Sequence, residues 1–267
     1  MNPTIRLYGS VAGALPHPAI SRLYSRPRLT RIIRAAMNAV LPRDLQEVEV
    51  AAGPLQGTRL LIYPRNELSF ISGLWEFWVQ EALLTHLHPG DRAWDIGAYI
   101  GYFALLMRKH CGPDNVYALE PDPSNRDRLQ RVLAMNGVDD IEVIPNAAGP
   151  EDGMLELARQ EHAPAASVTG GSGGIRVPVT TLDTLAEQVG PPHLVKMDVE
   201  GAEAGILRGA PKLLHEIRPR WILELHGKAG QEAVDILGRA GYQIHYLNRA
   251  ESRTHQEHIL ALPTNFV

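Results

Sequence analysis

The sequence predicts an α/β protein built on a mostly parallel β-sheet. From residue 92 onward, short apolar runs alternate with helical stretches, which is typical of βαβ units whose helices cover both faces of a sheet. The seven runs are RAWDI (92–96), VYALE (116–120), IEVI (141–144), LVKMD (194–198), WILEL (221–225), YQIHYL (242–247) and ILAL (259–262). Helices are predicted between them at 125–135 and 231–240. Because no helical pattern separates the last two runs, we expect an antiparallel hairpin at the edge of a seven-stranded sheet.

An N-terminal extension, residues 1–65, is predicted to precede the α/β domain, residues 66–267. An amphipathic pattern predicts a helix at 28–41, closed by a proline. The segments VEVAAG (48–53) and TRLLIY (58–63) predict a β-hairpin. Because the helix lies outside the main core pattern, it offers a surface through which two copies of the chain can pair as a homo-oligomer.

Composition and charge argue against several classes of protein. The chain has 267 residues, 45% of them hydrophobic, which is ample for a core, and its net charge of −4 argues against a dedicated nucleic-acid binder. Its single cysteine excludes an intrachain disulfide and argues against a structural zinc site. No segment has the pattern of an export signal or a membrane span, so we expect a cytoplasmic protein without membrane contact.

The charge of the first 43 residues differs from this average, because every charged side chain there is basic. Such a cluster is typical of a solvated helix face, and contact with a membrane surface, a partner or an acidic substrate is the alternative. The small, flexible composition of residues 161–174 likewise has two interpretations, a mobile surface loop or a loop that orders over substrate. A further helix is predicted at 73–87.

A glycine-containing turn follows the first predicted strand of the sheet. In open α/β sheets this first βα turn is the usual ligand site, and Gly97 and Gly101 let the backbone approach a ligand. The dinucleotide fingerprint G-x-G-x-x-G is absent, and tight helix packing explains the glycine pair equally well. Glu120 ends the next strand, where an acidic side chain binds ribose hydroxyls, and Asn146 with Ala147 suits an adenine edge. Together these strand ends predict a nucleoside ligand.

Three charged residues lie at the end of the fourth predicted strand, in LVKMDVEGAE. Lys196 and Asp198 are two residues apart and point to the same face, with Glu200 just beyond the strand end. Because unpaired charges are costly to bury, these groups must pair, bind a ligand or line a wet cleft. A buried ion network at the sheet edge is the structural alternative.

Several motifs in order resemble those of the S-adenosylmethionine-dependent methyltransferases of the FkbM type. They are WDIGAYIGY, ALEPDPSN, an Asn-Gly pair, TLDTL, LVKMDVEGAEAGILRGA and ILELHG, which all lie between residues 73 and 227. KMDVEGAE followed by ELH is the most diagnostic combination. One position departs from the family pattern G-A-N-x-G, because Tyr99 stands where an asparagine amide is expected.

The resemblance implies a Rossmann-like methyltransferase fold, with methyl transfer from S-adenosylmethionine to a hydroxyl of a small molecule such as a natural product or sugar. The implied cofactor-binding residues are Asp95, Gly97, Ala98, Tyr99, Gly101, Glu120, Asp122, Asn146, Ala147 and Asp198. In this fold the fourth strand ends beside the transferable methyl group, so the charged residues of LVKMDVEGAE are expected to face the reaction centre.

We expect four residues to be catalytic: Lys196, Asp198, Glu200 and His226. Asp198 or His226 is the predicted general base, and Glu200 is the orienting group for substrate or histidine. Lys196 either keeps the carboxylates ionised or contacts the substrate oxygen. His226 follows Glu224 at the end of the WILEL strand, and these acids with the histidine also suit Mg²⁺ or Mn²⁺. The alternative functions are an NAD-dependent oxidoreductase and a non-catalytic nucleoside-binding module.

Overall fold

The computed structural model describes residues 3–14, 40–157, 174–248 and 257–264. The predicted helix at 28–41, except its last two residues, and the predicted loop at 161–174, except Gly174, lie outside these ranges. Within the described ranges, no helix combines the length and the apolar character that crossing a membrane requires. The chain divides into two compact units, Met1–Phe77 with Arg131–Gly137, and Trp78–Gln130 with Val138–Val267. The predicted boundary after residue 65 stays a prediction.

The first unit contains the predicted hairpin. Its elements are helix α1 (Pro3–Ala14), strands β1 (Gln46–Glu49) and β2 (Arg59–Ile62), helix α2 (Pro64–Glu67) and a 3₁₀ turn (Leu68–Ser72). The strands pair antiparallel, so the hairpin is confirmed, whereas helix α1 was not predicted. The Asn136 amide binds the backbone of β2, accepting from the Arg59 N–H at 2.9 Å and donating to the Arg59 carbonyl at 2.8 Å. The asparagine of the Asn-Gly motif therefore has a structural contact with the hairpin.

The second unit is built on a seven-stranded sheet in the order β11-β12-β10-β9-β3-β4-β5. Its strands are β3 (Ala93–Ile96), β4 (Val116–Leu119), β5 (Ile141–Ile144), β9 (Leu194–Met197), β10 (Arg220–Leu225), β11 (Tyr242–Tyr246) and β12 (Glu257–Pro263). Strand β12 pairs antiparallel with both β10 and β11, and the other pairs are parallel. The predicted mostly parallel sheet with an antiparallel edge hairpin is therefore confirmed.

The strand order reverses at the centre of this sheet. Every residue of β3 and β9 is buried, as expected for parallel strands covered on both faces. The chain runs outward from β3 through β4 to β5, and then returns to β9 on the other side of β3. A crevice opens outside the carboxyl ends of strands at such a point, and it is the general ligand site of open α/β sheets.

Helices surround the sheet and complete the core. They are α3 (Phe77–His86), α4 (Tyr102–Cys111), α5 (Pro123–Met135), α6 (Leu182–Val189), α7 (Glu203–Arg208) and α8 (Gly227–Arg239), with a π-helical turn at Leu213–Ile217. Helix α3 begins later than predicted, because Gly73 ends the preceding 3₁₀ turn in the left-handed conformation, at φ 69°. One core cluster joins Trp94, Trp221 and Leu237, which are fully buried, so the sheet shares an apolar interior with α6, α7 and α8.

A separate three-stranded sheet was not predicted. It consists of β6 (Ala147–Ala148), β7 (Gly153–Leu157) and β8 (Ile175–Thr180) in the order β6-β8-β7. Its apolar cluster is small, with Ala147, Leu157 and Val177 as its buried members. The strands are short, and β8 contains Pro178, so the sequence carries a weak strand signal there.

Candidate active site

The glycine turn, residues 97–101, connects β3 to α4 at the carboxyl end of the sheet. The N–H groups of Gly97 and Ala98 both donate to the Leu119 carbonyl, at 3.0 and 2.9 Å. Gly97 has φ +81°, and a Cβ atom there would lie 1.9 Å from the Asp198 carbonyl oxygen. The glycine is therefore required by the close approach of the backbone that follows β9. The same approach brings the turn and the end of β9 into direct contact.

Tyr99 keeps the backbone conformation of the turn despite its departure from the family pattern. Its φ is +50°, in the left-handed region that asparagine tolerates better than tyrosine. The Tyr99 N–H donates to Glu120 Oε2 at 2.8 Å, and Arg128 donates to the Tyr99 hydroxyl at 3.2 Å. The Arg128 guanidinium also lies over the Tyr99 ring, 5.1 Å from its centroid. These contacts hold the tyrosine where the family has an amide.

Glu120 lies just beyond β4, beside the turn. Its side chain is 5% exposed, and its second oxygen, Oε1, accepts from the Asp122 N–H at 2.9 Å. Burial raises the pKa of Glu120 to about 8, although the Asp122 N–H bond opposes the shift. Each carboxylate oxygen has a further lone pair, so the group can still accept hydrogen bonds from a ribose.

Asp122 has a structural role at the start of α5. Its Oδ1 accepts from the N–H groups of Ser124 and Asn125, at 2.7 and 3.1 Å. These are the contacts of a helix N-cap, so its predicted contact with the cofactor stays a prediction. Asn146 is partly exposed after β5, and the next residue, Ala147, is buried in β6.

Asp95 and Lys196 form a buried ion pair between the two central strands. They face each other in the β3–β9 register, with Lys196 Nζ 3.4 Å from Asp95 Oδ1 and 3.9 Å from Asp198 Oδ2. The ammonium also lies 4.8 Å from the centroid of the Phe103 ring. Burial raises the pKa of Asp95, and the charge of Lys196 partly offsets this effect. Asp95 is 0% exposed and lies beneath the turn, and its predicted contact with the cofactor stays a prediction.

His226 lies just beyond β10 among three glutamates. Its Nδ1 is 2.6 Å from Glu203 Oε1, and its Nε2 is 3.4 Å from Glu200 Oε2 and 3.7 Å from Glu224 Oε1. Glu203 is fully buried, and its Oε1 also accepts from the Gly201 N–H at 3.0 Å. The structure thus brings Glu200 and His226 together, as predicted, but gives the shortest contact to Glu203.

The carboxylates set the charge of His226. Burial lowers its pKa, but the bond to Glu203 and the charges of Glu224, Glu203 and Asp198 outweigh burial and raise the pKa to about 9. At neutral pH the imidazole is therefore protonated and donates to Glu203. Burial also raises the pKa of Glu200, and the positive charge of His226 opposes that shift.

Sequence reasoning missed Glu203, although it belongs to the diagnostic KMDVEGAE motif. Membership of that motif is the signal that could have identified it. No local pattern marks it as buried, because its burial depends on where the turn after β9 places the first residue of α7 relative to β10. Sequence reasoning also missed His258 of β12, which lies opposite Glu224 in the strand register.

The strand order, the glycine turn and the acid that follows β4 together define a Rossmann-like methyltransferase domain. Comparison with known proteins then gives the family: the methyltransferase FkbM domain matches residues 95–244, which is more than half of the chain. The chain belongs to the FkbM family of S-adenosylmethionine-dependent methyltransferases.

Two relatives are also methyltransferases, and a solved structure shares the fold. The hexuronic acid methyltransferase AglP of Haloferax volcanii is 30% identical over 178 residues, which cover 63% of this chain and 71% of the relative. Methyltransferase 1 of Beauveria bassiana is 26% identical over 164 residues, 52% of this chain and 66% of the relative. The crystal structure of methyltransferase FkbM from Methylobacillus flagellatus KT has the same fold, with a TM-score of 0.50, 20% identity and 72% of this chain covered. The match spans about half of that solved chain, 52%.

Proposed function

We propose that this protein transfers a methyl group from S-adenosylmethionine to a hydroxyl group of a small molecule, a sugar or a natural product. The Haloferax volcanii relative is a hexuronic acid methyltransferase, and the nucleophilic atoms of a hexuronic acid are oxygens. Family membership disfavours the NAD-dependent oxidoreductase. A non-catalytic nucleoside-binding module is the remaining alternative.

The observation that carries the proposal is the contact between the glycine turn and the charged segment at the end of β9, which contains Lys196, Asp198 and Glu200. The Asp198 carbonyl abuts Gly97, and Glu120 lies beside the same turn, bonded to the Tyr99 N–H. A nucleoside held by Glu120 would extend along the turn toward Asp198. In that arrangement the methyl donor and the carboxylates share one edge of the sheet.

Methyl transfer is an in-line displacement at the methyl carbon. The acceptor oxygen forms the new O–C bond, the C–S bond breaks with its electron pair going to sulfur, and the hydroxyl proton goes to a base. Alignment of oxygen, carbon and sulfur contributes about 7–11 kcal/mol, against about 10²–10⁴-fold for a positioned base. Orientation is therefore the larger part of the proposed catalysis.

Asp198 is the proposed base. His226 is protonated at neutral pH, because its pKa is raised to about 9, so it cannot accept the proton there. The Asp198 side chain is 27% exposed, so an acceptor can reach it, and its Oδ2 lies 3.9 Å from Lys196 Nζ. We assign Glu200 to orient the acceptor and His226 to hold Glu200 in place.

A Mg²⁺ ion is a second candidate cofactor. Single ligand atoms of Asp198, Glu224 and His226 all lie within 4.8 Å of one another. A protonated imidazole has no lone pair for a metal, so the charge state of His226 argues against this site at neutral pH. The proposed transfer therefore includes no metal step.

The first experiment is calorimetric titration of the protein with S-adenosylhomocysteine, with and without Mg²⁺. We expect micromolar binding that Mg²⁺ does not change, followed by methylation of members of a panel of hexuronic acids, neutral sugars and polyketide alcohols. Asp198→Asn should lose at least about 100-fold in transfer rate, whereas the exposed control Asp235→Asn should retain the wild-type rate. Tight binding without methylation of any acceptor would favour the binding module, and absence of binding by a folded protein would contradict the proposal.

A further inference from the structure

A second histidine, His258, lies close to Glu224. His258 is directly opposite Glu224 in the antiparallel register of β10 and β12, so the two side chains project from the same face of the sheet. His258 Nε2 is 3.6 Å from Glu224 Oε2, and the side chains are 4% and 11% exposed. The other oxygen, Glu224 Oε1, is 3.7 Å from His226 Nε2. Glu224 thus bridges the two imidazoles.

The surroundings of His258 fix its tautomer. The buried amide of Asn248 accepts from the His258 backbone N–H through Oδ1 at 2.8 Å, which leaves the amide nitrogen facing His258 Nδ1 at 3.2 Å. An amide nitrogen only donates, so Nδ1 is the acceptor and the ring proton lies on Nε2. That proton is on the nitrogen that lies 3.6 Å from Glu224 Oε2. The Trp78 ring, 5.8 Å away between centroids, packs against the imidazole.

We propose that His258 is a positioning residue for methyl transfer, which holds the Glu224 carboxylate ionised and directed at His226. A carboxylate that is 11% exposed needs nearby N–H groups to remain ionised, and His258 Nε2 lies nearest to Oε2, whereas His226 Nε2 lies nearest to Oε1. The negative charge of Glu224 in turn favours the imidazolium form of His226, which contacts Glu200. The proposal rests on the function proposed above for Glu200 and His226, and it adds His258 of β12 to these residues.

Two substitutions of His258 separate the donor from the bulk of the side chain. The glutamine amide nitrogen reaches about as far as Nε2, whereas the asparagine amide reaches only as far as Nδ1. His258→Gln should therefore keep a donor at Glu224, and His258→Asn should lose it. His245→Asn is the matched control, because His245 is an exposed histidine on the adjacent strand β11.

The measurement is an NMR titration of His226 in the protein without cofactor or acceptor. We expect a pKa near 9 in the wild type, His258→Gln and His245→Asn, and a pKa lower by about one unit in His258→Asn, as for the weakening of one nearby charge. Equal His226 titrations in both His258 variants and the wild type would overturn the proposal.

A second measurement, of the His258 tautomer, uses the wild type and therefore keeps the contact between His258 and Glu224. Long-range ¹H–¹⁵N spectra of the labelled wild type should show His258 with its proton on Nε2 near neutral pH, and the His258→Gln spectrum assigns the signal. A proton on Nδ1 would overturn the proposal even if His258→Asn did not fold. Because neither measurement requires methyl transfer, failure to bind S-adenosylhomocysteine would count against the proposed function alone.

Discussion

At the scale of single residues, Gly97 shows how a cofactor motif is also a packing requirement. Its left-handed backbone and its approach to the Asp198 carbonyl are both incompatible with a side chain. Glycine in the first βα turn therefore serves the contact between strand ends, whatever the ligand. The neighbouring Tyr99 accepts the strain of a positive φ because Glu120 and Arg128 hold it.

Gly97→Ala tests this interpretation, with Gly90→Ala as the control. Gly90 also has a positive φ, +84°, but a Cβ there meets nothing within 4 Å. We expect Gly90→Ala to cost about 1–2 kcal/mol in unfolding free energy from backbone strain alone. Gly97→Ala should cost a further 1–3 kcal/mol or more, because the new methyl group overlaps a backbone carbonyl. Urea unfolding measures both, and equal losses would contradict the packing argument.

The raised pKa of Glu120 predicts that nucleoside binding releases a proton. Ribose hydroxyls that donate to its carboxylate favour the ionised form and lower its pKa from about 8. Affinity for adenosine should therefore rise with pH up to about 8 and level off above that value. Adenosine is the suitable probe because it lacks the amino acid portion of the cofactor, whose amine also titrates.

Calorimetry in two buffers of different ionisation enthalpy counts the released protons. The wild type and the exposed control Glu142→Gln should release a fraction of a proton near neutral pH, and Glu120→Gln should release none. Proton-neutral binding by the wild type would show that Glu120 does not hold the ribose.

At the scale of secondary structure elements, Asp122 caps the start of helix α5, although the sequence analysis predicted that it binds the cofactor. We expect Asp122→Ala to lose about 1 kcal/mol of stability, because it removes the acceptor for two helical N–H groups. Asp122→Asn should remain within a few tenths of a kcal/mol, since asparagine caps equally well. Thermal unfolding tests the cap. The affinity of Asp122→Asn for S-adenosylhomocysteine tests the predicted cofactor contact, and an unchanged affinity would contradict it.

The edge hairpin brings His258 beside Glu224 from a strand that runs in the opposite direction. Because β12 is antiparallel to β10, His258 near its beginning lies beside the carboxyl end of β10. A parallel strand in that place would put only its last residues there. The antiparallel edge, predicted from a missing helix, therefore has a consequence for the site that was not predicted.

At the scale of the whole molecule, two raised pKa values predict that stability falls as pH rises. The pKa of Glu120 is raised from 4.5 to about 8, and that of His226 from 6.5 to about 9. The folded state therefore binds more protons than the unfolded state in both windows, so the free energy of unfolding decreases with pH. The contribution of His226 is complete below pH 6.5 and is lost as pH rises through about 9.

We expect this contribution to be about 1–2 kcal/mol after allowance for solvent screening. Chemical unfolding at a series of pH values measures it. His226→Gln should lower the stability at neutral pH, because Glu203 loses its buried partner, but the readout is the slope, which should flatten above pH 6.5. His245→Gln should keep the wild-type slope, and a wild-type slope in His226→Gln would contradict the prediction.

The sequence by itself determined the architecture of the sheet and the family. Strand and helix periods depend on neighbouring residues, so the seven strands and the edge hairpin follow from local patterns. The motif order likewise identified the strand ends that carry Glu120, Asp198 and His226. The short strands β6 to β8 were not predicted, because their pairing, rather than their composition, stabilises them.

Only the tertiary structure decided which groups pair. Asp95 lies under the turn with Lys196, Glu203 rather than Glu200 makes the short contact to His226, and His258 joins from β12. These pairings connect residues that are distant in sequence, and they depend on strand register and turn geometry. Burial and neighbouring charges then set the pKa values, because both are properties of the folded surroundings and not of the residues alone.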